Sequence, residues 1–143
     1  MSTATAAGTS TASRLRLVVG RLHRRLRTEG GSDLSPLLLS ALVTIEGHGP
    51  LRLGELAARE AVSAPTMSRA LAALDERGVV TRTPDPADAR SVLLTLSPEG
   101  ERVLAEVRAT YTATLQRRLD RLDPAQRHAL EDALPALEAL LAD

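Results

Sequence analysis

No cysteine, tryptophan, phenylalanine or lysine occurs among the 143 residues, and Tyr111 is the single aromatic side chain. The lack of cysteine excludes a disulfide scaffold, a thiolate zinc site and a thiol-based redox sensor. No stretch approaches the roughly eighteen consecutive apolar residues that a membrane-spanning helix needs. Phosphate-binding glycine loops and serine motifs with a placed base are missing too, and the carboxylates fall on helix surfaces without catalytic pairing. These absences point away from an enzyme. His23, His48 and His128 lie far apart and lack i,i+4 ligand companions, so no metal site or other cofactor is expected. Every basic residue is Arg, which together with abundant Ala and Leu fits a GC-rich coding sequence.

What is present is an ordinary globular composition: 43% hydrophobic and 25% charged residues exclude a disordered chain. At this length one compact core is the default. Residues 1–12, rich in Ser, Thr, Ala and Gly, have no apolar run and read as a flexible tail, not a signal peptide, so a cytoplasmic protein is expected. The formal net charge is zero but unevenly placed. Arg14 to Arg27 holds six Arg and no acid, whereas Pro98 to Asp143 holds nine acids and six Arg. Such polarity means that one end faces an anion or that the two ends face each other.

Periodicity predicts mostly helices. Leu15, Val18 or Val19, Leu22 and Leu26 recur at helical spacing, and Gly30-Gly31 ends that helix. Ser35 is an N-cap followed by Pro36 at the first helical position, with Leu34 and Leu39 spaced as a hydrophobic staple. That helix stops near Gly47-His48-Gly49-Pro50. A short helix over 53–60, a tight turn at Ala61-Val62 and a helix capped by Ser63 follow, the last with Met67, Ala70, Leu71 and Leu74 on one stripe and Gly78 as its stop. The period then changes to two: Val79 to Arg82 and Ser91 to Leu96 read as strands flanking a loop over 84–90. Ser97-Pro98 opens a helix of about two dozen residues, and Asp123-Pro124 opens the last, which Pro135 should kink or end.

Helix, turn, capped helix and hairpin in this order form a winged helix-turn-helix, an arrangement whose second helix enters the major groove. Leu53-Gly54-Glu55-Leu56-Ala57, Ser63-Ala64-Pro65-Thr66-Met67-Ser68-Arg69 and Leu74-Asp75-Glu76-Arg77-Gly78-Val79-Val80 resemble the MarR family of bacterial transcription regulators. The wing from Arg82 to Arg90 and the run Leu94-Thr95-Leu96-Ser97-Pro98-Glu99-Gly100 carry the same signature. Three departures stand out: Asp88-Ala89-Arg90 where the family usually has Asp-Arg-Arg, Ala61 where glycine is common, and Glu60 where an apolar residue is common. The implied fold is mainly α with a small β-hairpin wing. A winged helix-turn-helix domain spans 35–97, and helices over 13–34 and 98–143 form a dimerisation region.

The resemblance implies a homodimeric double-stranded-DNA-binding regulator, most often a repressor, reading a pseudo-palindrome with half-sites about one helical turn (~10 bp) apart. The helix over 63–77 is expected in the major groove and the wing over 79–96 in the minor groove. Ser63, Pro65, Thr66 and Ser68 let the backbone approach the DNA, and Arg69 reaches a guanine edge or a phosphate unless it is simply solvated. Arg90 inserts into a narrow minor groove with Asp88 orienting it. Arg82 either contacts phosphate or bridges strands. The family also implies a small, often phenolic or aromatic, effector between the dimer helices and the winged domain, with His23, Leu26, Leu42 and Ile45 as candidate walls. Tyr111 reads as a core or dimer residue or as part of that cavity. The six N-terminal arginines face the acidic last helices of a partner subunit, or grip phosphates or a membrane surface. The rival reading is a helical dimer whose winged domain docks a protein without sequence-specific DNA binding, and a lesser variant is an effector-free DNA-binding regulator.

Overall fold

The computed structural model describes residues 9–143, so most of the stretch read as a tail lies outside the described residues. The described elements are α1 (Thr11–Glu29), α2 (Pro36–His48), α3 (Leu53–Arg59), α4 (Ala64–Glu76), β1 (Val80–Asp85), β2 (Asp88–Leu96), α5 (Pro98–Leu119) and α6 (Pro124–Ala139). They divide into two compact units, one over residues 31–109 and one made of the segments up to residue 30 and from residue 110.

The first unit is the winged helix-turn-helix. In this unit α2 and α4 start where polar caps satisfy free backbone N–H groups: the Ser35 hydroxyl accepts from Leu38 N at 3.3 Å, and Ser63 accepts from Thr66 N at 3.3 Å. Between these starts the apolar stripes converge. Leu34, Leu42, Ile45, Leu56, Met67, Leu71, Leu74, Val79, Leu94 and Leu104 are all buried in one cluster, and the partly buried Leu39 packs against it. At about 1.5–3 kcal/mol for each large apolar side chain removed from water, this cluster is the main favourable term holding the unit together. Gly78, at φ +67, ends the helix in the left-handed region and turns the chain into the wing.

The wing is longer than the period-two reading implied. β1 runs on to Asp85 and β2 begins at Asp88, so the loop expected over 84–90 shrinks to Pro86-Ala87. Pairing is antiparallel, from Val80 opposite Leu96 to Pro84 opposite Val92, and then jumps to Asp85 opposite Asp88. Ala89, Arg90 and Ser91 therefore form a bulge, the kind of irregularity that bends a hairpin and re-aims its side chains. Pro84 is tolerated because each strand of a two-stranded sheet is an edge strand. Leu51 adds a backbone bridge to the wing, with its N–H 3.1 Å from Leu94 O and its carbonyl accepting from Leu94 N at 2.7 Å.

The second unit contains α1, the C-terminal part of α5, and α6. Ser10 caps α1, so Thr11 and Ala12 are helical and do not belong to a tail. Asp123 and Gln126 make a reciprocal capping box at the start of α6, and this helix continues through Pro135 to Ala139. Glu29 at the end of α1 is paired by Arg118 of α5. Gly30 lies against the Tyr111 ring, where an added Cβ would come within 2.7 Å of Cε1. Thr114 is buried and accepts from Arg117 Nη2 at 3.1 Å. Neither α1 nor α6 has a buried residue, while Leu17, Val18, Val19, Leu130, Leu134, Leu140 and Leu141 stand exposed.

Candidate nucleic-acid interface

The burial of Met67, Ala70, Leu71 and Leu74 turns the other side of α4 outward. Three polar residues follow each other there at i, i+3 and i+6. The Ser63 hydroxyl donates to Thr66 Oγ1 at 2.9 Å, and Arg69 Nη2 is 3.4 Å from the same oxygen. No carboxylate pairs with Arg69 among the described residues. Ser63, Pro65, Ser68 and Arg69 are exposed and Thr66 is half-buried. A helix N-terminus with small polar side chains and one unpaired guanidinium can meet both base edges and phosphates.

The turn into α4 is held in two ways that local reading did not reveal. Ala61 sits at φ +54, the left-handed conformation that explains why glycine is common at this place. Glu60, the other departure, is bound by Ser40, whose hydroxyl donates at 2.6 Å, and by the Thr44 hydroxyl. An apolar contact is thus replaced by a carboxylate that ties the end of α3 to α2.

The wing residues take distinct roles. Arg82 makes neither a strand bridge nor a free cation: it pairs with Asp75 near the end of α4, linking wing and helix. Asp88 does not meet the Arg90 guanidinium. Its Oδ1 instead accepts from the Arg90 backbone N–H at 2.9 Å and its Oδ2 from the Ser91 hydroxyl at 3.2 Å. Asp88 thereby holds the backbone at Arg90, and the exposed guanidinium meets no acceptor among the described residues. Asp85 is only 7% exposed and accepts from Ala87 N at 2.9 Å and from Arg52 Nε at 2.8 Å. Those two donors, the Ala87 N–H first, hold its carboxyl below the usual carboxylate range. Neither Arg52 nor Asp85 was singled out by sequence, because nothing in their spacing links residues 33 apart.

The proposed effector residues are not brought together within either unit. Leu42 and Ile45 are packed into the winged unit's core at 0% and 2% exposure, and Ile45 also lines a small open pocket with Glu46, Gly49, Thr95, Leu96 and Glu101. His23 and Leu26 belong to α1 in the other unit, exposed and half-buried respectively. Among the described residues no three His, Cys, Asp or Glu side chains are grouped to hold a metal ion, and no helix is long and apolar enough to cross a membrane.

The MarR family model matches residues 34–92, and an HTH-type transcriptional regulator of Mycobacterium bovis is 38% identical over 91% of this chain and 92% of its own length. The chain belongs to the MarR family. A transcriptional regulator structure from Pseudomonas aeruginosa, 33% identical, superposes with a TM-score of 0.77 over 92% of this chain and 94% of that one. A mutant of the Staphylococcus aureus regulator MepR, crystallised bound to an oligodeoxyribonucleotide, shares the fold with a TM-score of 0.69 over 94% of this chain and 100% of its own, at 15% identity. MarR proteins are DNA-binding transcriptional regulators and not enzymes, and the described winged unit contains the whole of the matched segment.

Proposed function

We propose that this MarR-family regulator acts as a homodimeric repressor on a pseudo-palindromic operator, with α4 in the major groove and the wing's Arg90 in the adjacent minor groove. The observation that carries this reading is the outward face of α4: Ser63, Thr66 and Arg69 in line on a helix whose opposite face is the domain core. The fold shared with the DNA-bound MepR mutant supports DNA as the partner. Dimerisation is supported by α1 and α6, which expose aliphatic side chains and bury none, an arrangement that a second copy would cover. Two identical recognition helices on a two-fold axis require half-sites about one turn apart, ~10 bp. An effector of phenolic or aromatic class acts here by binding one spacing of those helices more tightly than the other.

The test is selection from a randomised duplex pool at two salt concentrations, with sequencing of the retained DNA. Enrichment of a two-fold palindrome with that half-site spacing is the expected result. Retention without enrichment would leave a non-specific binder. Failure to retain any duplex would favour a protein-docking role, since counterion release has no place in such contacts. The enriched duplex then serves to screen small aromatic acids and phenols for a shift in affinity, and to test repression from a reporter promoter overlapping the site.

A further inference from the structure

Arg52 breaks two local rules at once. It occupies the N-cap of α3, where a side-chain acceptor belongs, and makes no capping hydrogen bond. It also places a cation at the positive end of a helix. Local conflicts of this kind are retained where a longer-range contact uses the residue, and here the guanidinium reaches 33 positions along the chain to the Asp85 carboxylate through Nε and Nη2.

The position of that carboxylate gives the contact its meaning. Leu51, the preceding residue, is hydrogen-bonded in both directions to Leu94, which lies opposite Arg82 in the hairpin. Asp85 lies three residues beyond Arg82, roughly 10 Å further out at strand rise. The segment 51–52 therefore grips the wing twice, by backbone partway along its length and by side chain at its tip. At the tip, Asp85 closes the Pro86-Ala87 turn by accepting from Ala87 N, and Asp88 across the turn holds the backbone of Arg90. An open groove of about 540 Å³ is lined by Arg52 and Glu55 on one side and by Arg90 and Ser91 on the other.

We infer that Arg52 and Asp85 are positioning residues for DNA recognition: their pairing anchors the wing tip to the start of α3 and sets where the bulge presents Arg90. This inference rests on the DNA-reading function proposed above. It separates two accounts of Arg52 that a single deletion would confuse. If Arg52 mattered only as a charge, then Asp85→Asn, which removes an acid and releases a cation, would tighten binding to DNA. As a positioning pair, Asp85→Asn loosens the wing and weakens whatever selectivity the wing supplies.

The experiment uses the full-length protein and the duplex enriched by the wild type, alongside a matched duplex whose A·T pairs under the wing are replaced by G·C. The wild-type protein is expected to prefer the A·T flank by about fivefold or more, in the range of a good groove contact. Arg52→Ser supplies a capping hydroxyl and so keeps α3 folded. This variant and Asp85→Asn are both expected to reduce the flank preference to below about twofold while half-site preference at α4 persists. Exchanging the charges, Arg52→Asp with Asp85→Arg, should recover part of it. Amide hydrogen exchange gives a reading independent of DNA: the Ala87 and Arg90 N–H groups should exchange faster in Arg52→Ser, with the α2 and α4 cores unchanged. Unaltered exchange at these two amides, an unaltered flank preference, or tighter binding by Asp85→Asn with selectivity intact would each overturn the inference. A wild type that enriches half-sites but ignores the flank overturns the inference and leaves the DNA reading standing. No enrichment of any duplex defeats the DNA reading and the inference with it.

Discussion

At the residue scale, the two family departures in the turn have different physical outcomes. Glu60 is compensated: Ser40 and Thr44 supply the donors that a partly buried carboxylate requires. Ala61 is not, because its φ of +54 is a backbone conformation disfavoured by the presence of a Cβ, and no contact alters that. Ala61→Gly should therefore stabilise the protein by about 0.5–1 kcal/mol, the relief of strain being partly offset by the extra unfolded-state entropy of glycine. Urea denaturation with an unchanged m-value would measure it, and an equal or lower midpoint would show that the turn is unstrained. On the proposed reading, Arg69 is the residue on which base recognition would depend most. It lacks an acidic partner and lies one turn into α4, so Arg69→Ala should cost about 1–3 kcal/mol of operator affinity and relax preference at one base position per half-site. A loss spread evenly over sequences, with the salt slope reduced by about one, would make it a phosphate contact instead.

At the scale of elements, helix boundaries were legible because caps and stripes are local. Ser35, Pro36 and Ser63 start helices for reasons contained within four residues, and Met67, Ala70, Leu71 and Leu74 share a face by periodicity alone. The hairpin was legible only in part. Pro84 and Asp85 carry loop character locally, yet the strand runs through them because Asp85 is fixed by Arg52, a partner that spacing cannot disclose. The candidate site divides the same way: the α4 face followed from the buried stripe opposite it, whereas the pairing of Arg82 with Asp75 joins two elements and required their placement. The junction of turn and α5 is another such contact. Gly100, in the first turn of α5, lies so close to the 78–79 turn that an added Cβ would be 2.1 Å from Val79 O. The Ser97 hydroxyl meanwhile donates to Gly78 O at 2.5 Å, and Ser97 N donates to Val79 O at 3.1 Å. Nothing flexible can yield there, so Gly100→Ala should destabilise by about 1–3 kcal/mol through overpacking, read as a lowered melting temperature. A melting temperature equal to that of the wild type would mean the two segments can separate at no cost.

For the molecule as a whole, net neutrality conceals a chain in which arginine meets carboxylate repeatedly. Arg118 beside Glu29, Arg77 beside Asp33, Arg108 beside Glu46 and Arg102 beside Glu99 each hold the carboxyl below its ordinary value, as Ala87 N–H and then Arg52 do for Asp85. A carboxylate whose folded pKa is depressed contributes stability that is present above its unfolded value and lost as pH falls through the folded one. Stability should thus fall progressively as pH drops below about 4, with high salt shrinking the effect because most of these pairs are exposed. Chemical denaturation from pH 5 to pH 2 checks this, and a flat profile would mean the pairs contribute nothing net. The exposed aliphatic residues of α1 and α6 make a different demand. Helices without a fully buried side chain have little apolar stabilisation of their own, and in the proposed dimer a second copy would cover Leu130, Leu134, Leu140 and Leu141 and supply what is missing. Leu134→Asp places a charge in that surface and should convert the dimer to a monomer, as measured by light scattering on a size-exclusion column. The winged unit has its own core over 31–109, so its secondary structure should persist in the monomer. Operator affinity should nevertheless collapse toward that of a single half-site, because joining two recognition helices raises the effective concentration of the second. A Leu134→Asp protein that remains dimeric would place the interface elsewhere, and a monomer that binds the full palindrome as tightly as the wild type would show that the two half-sites are read independently.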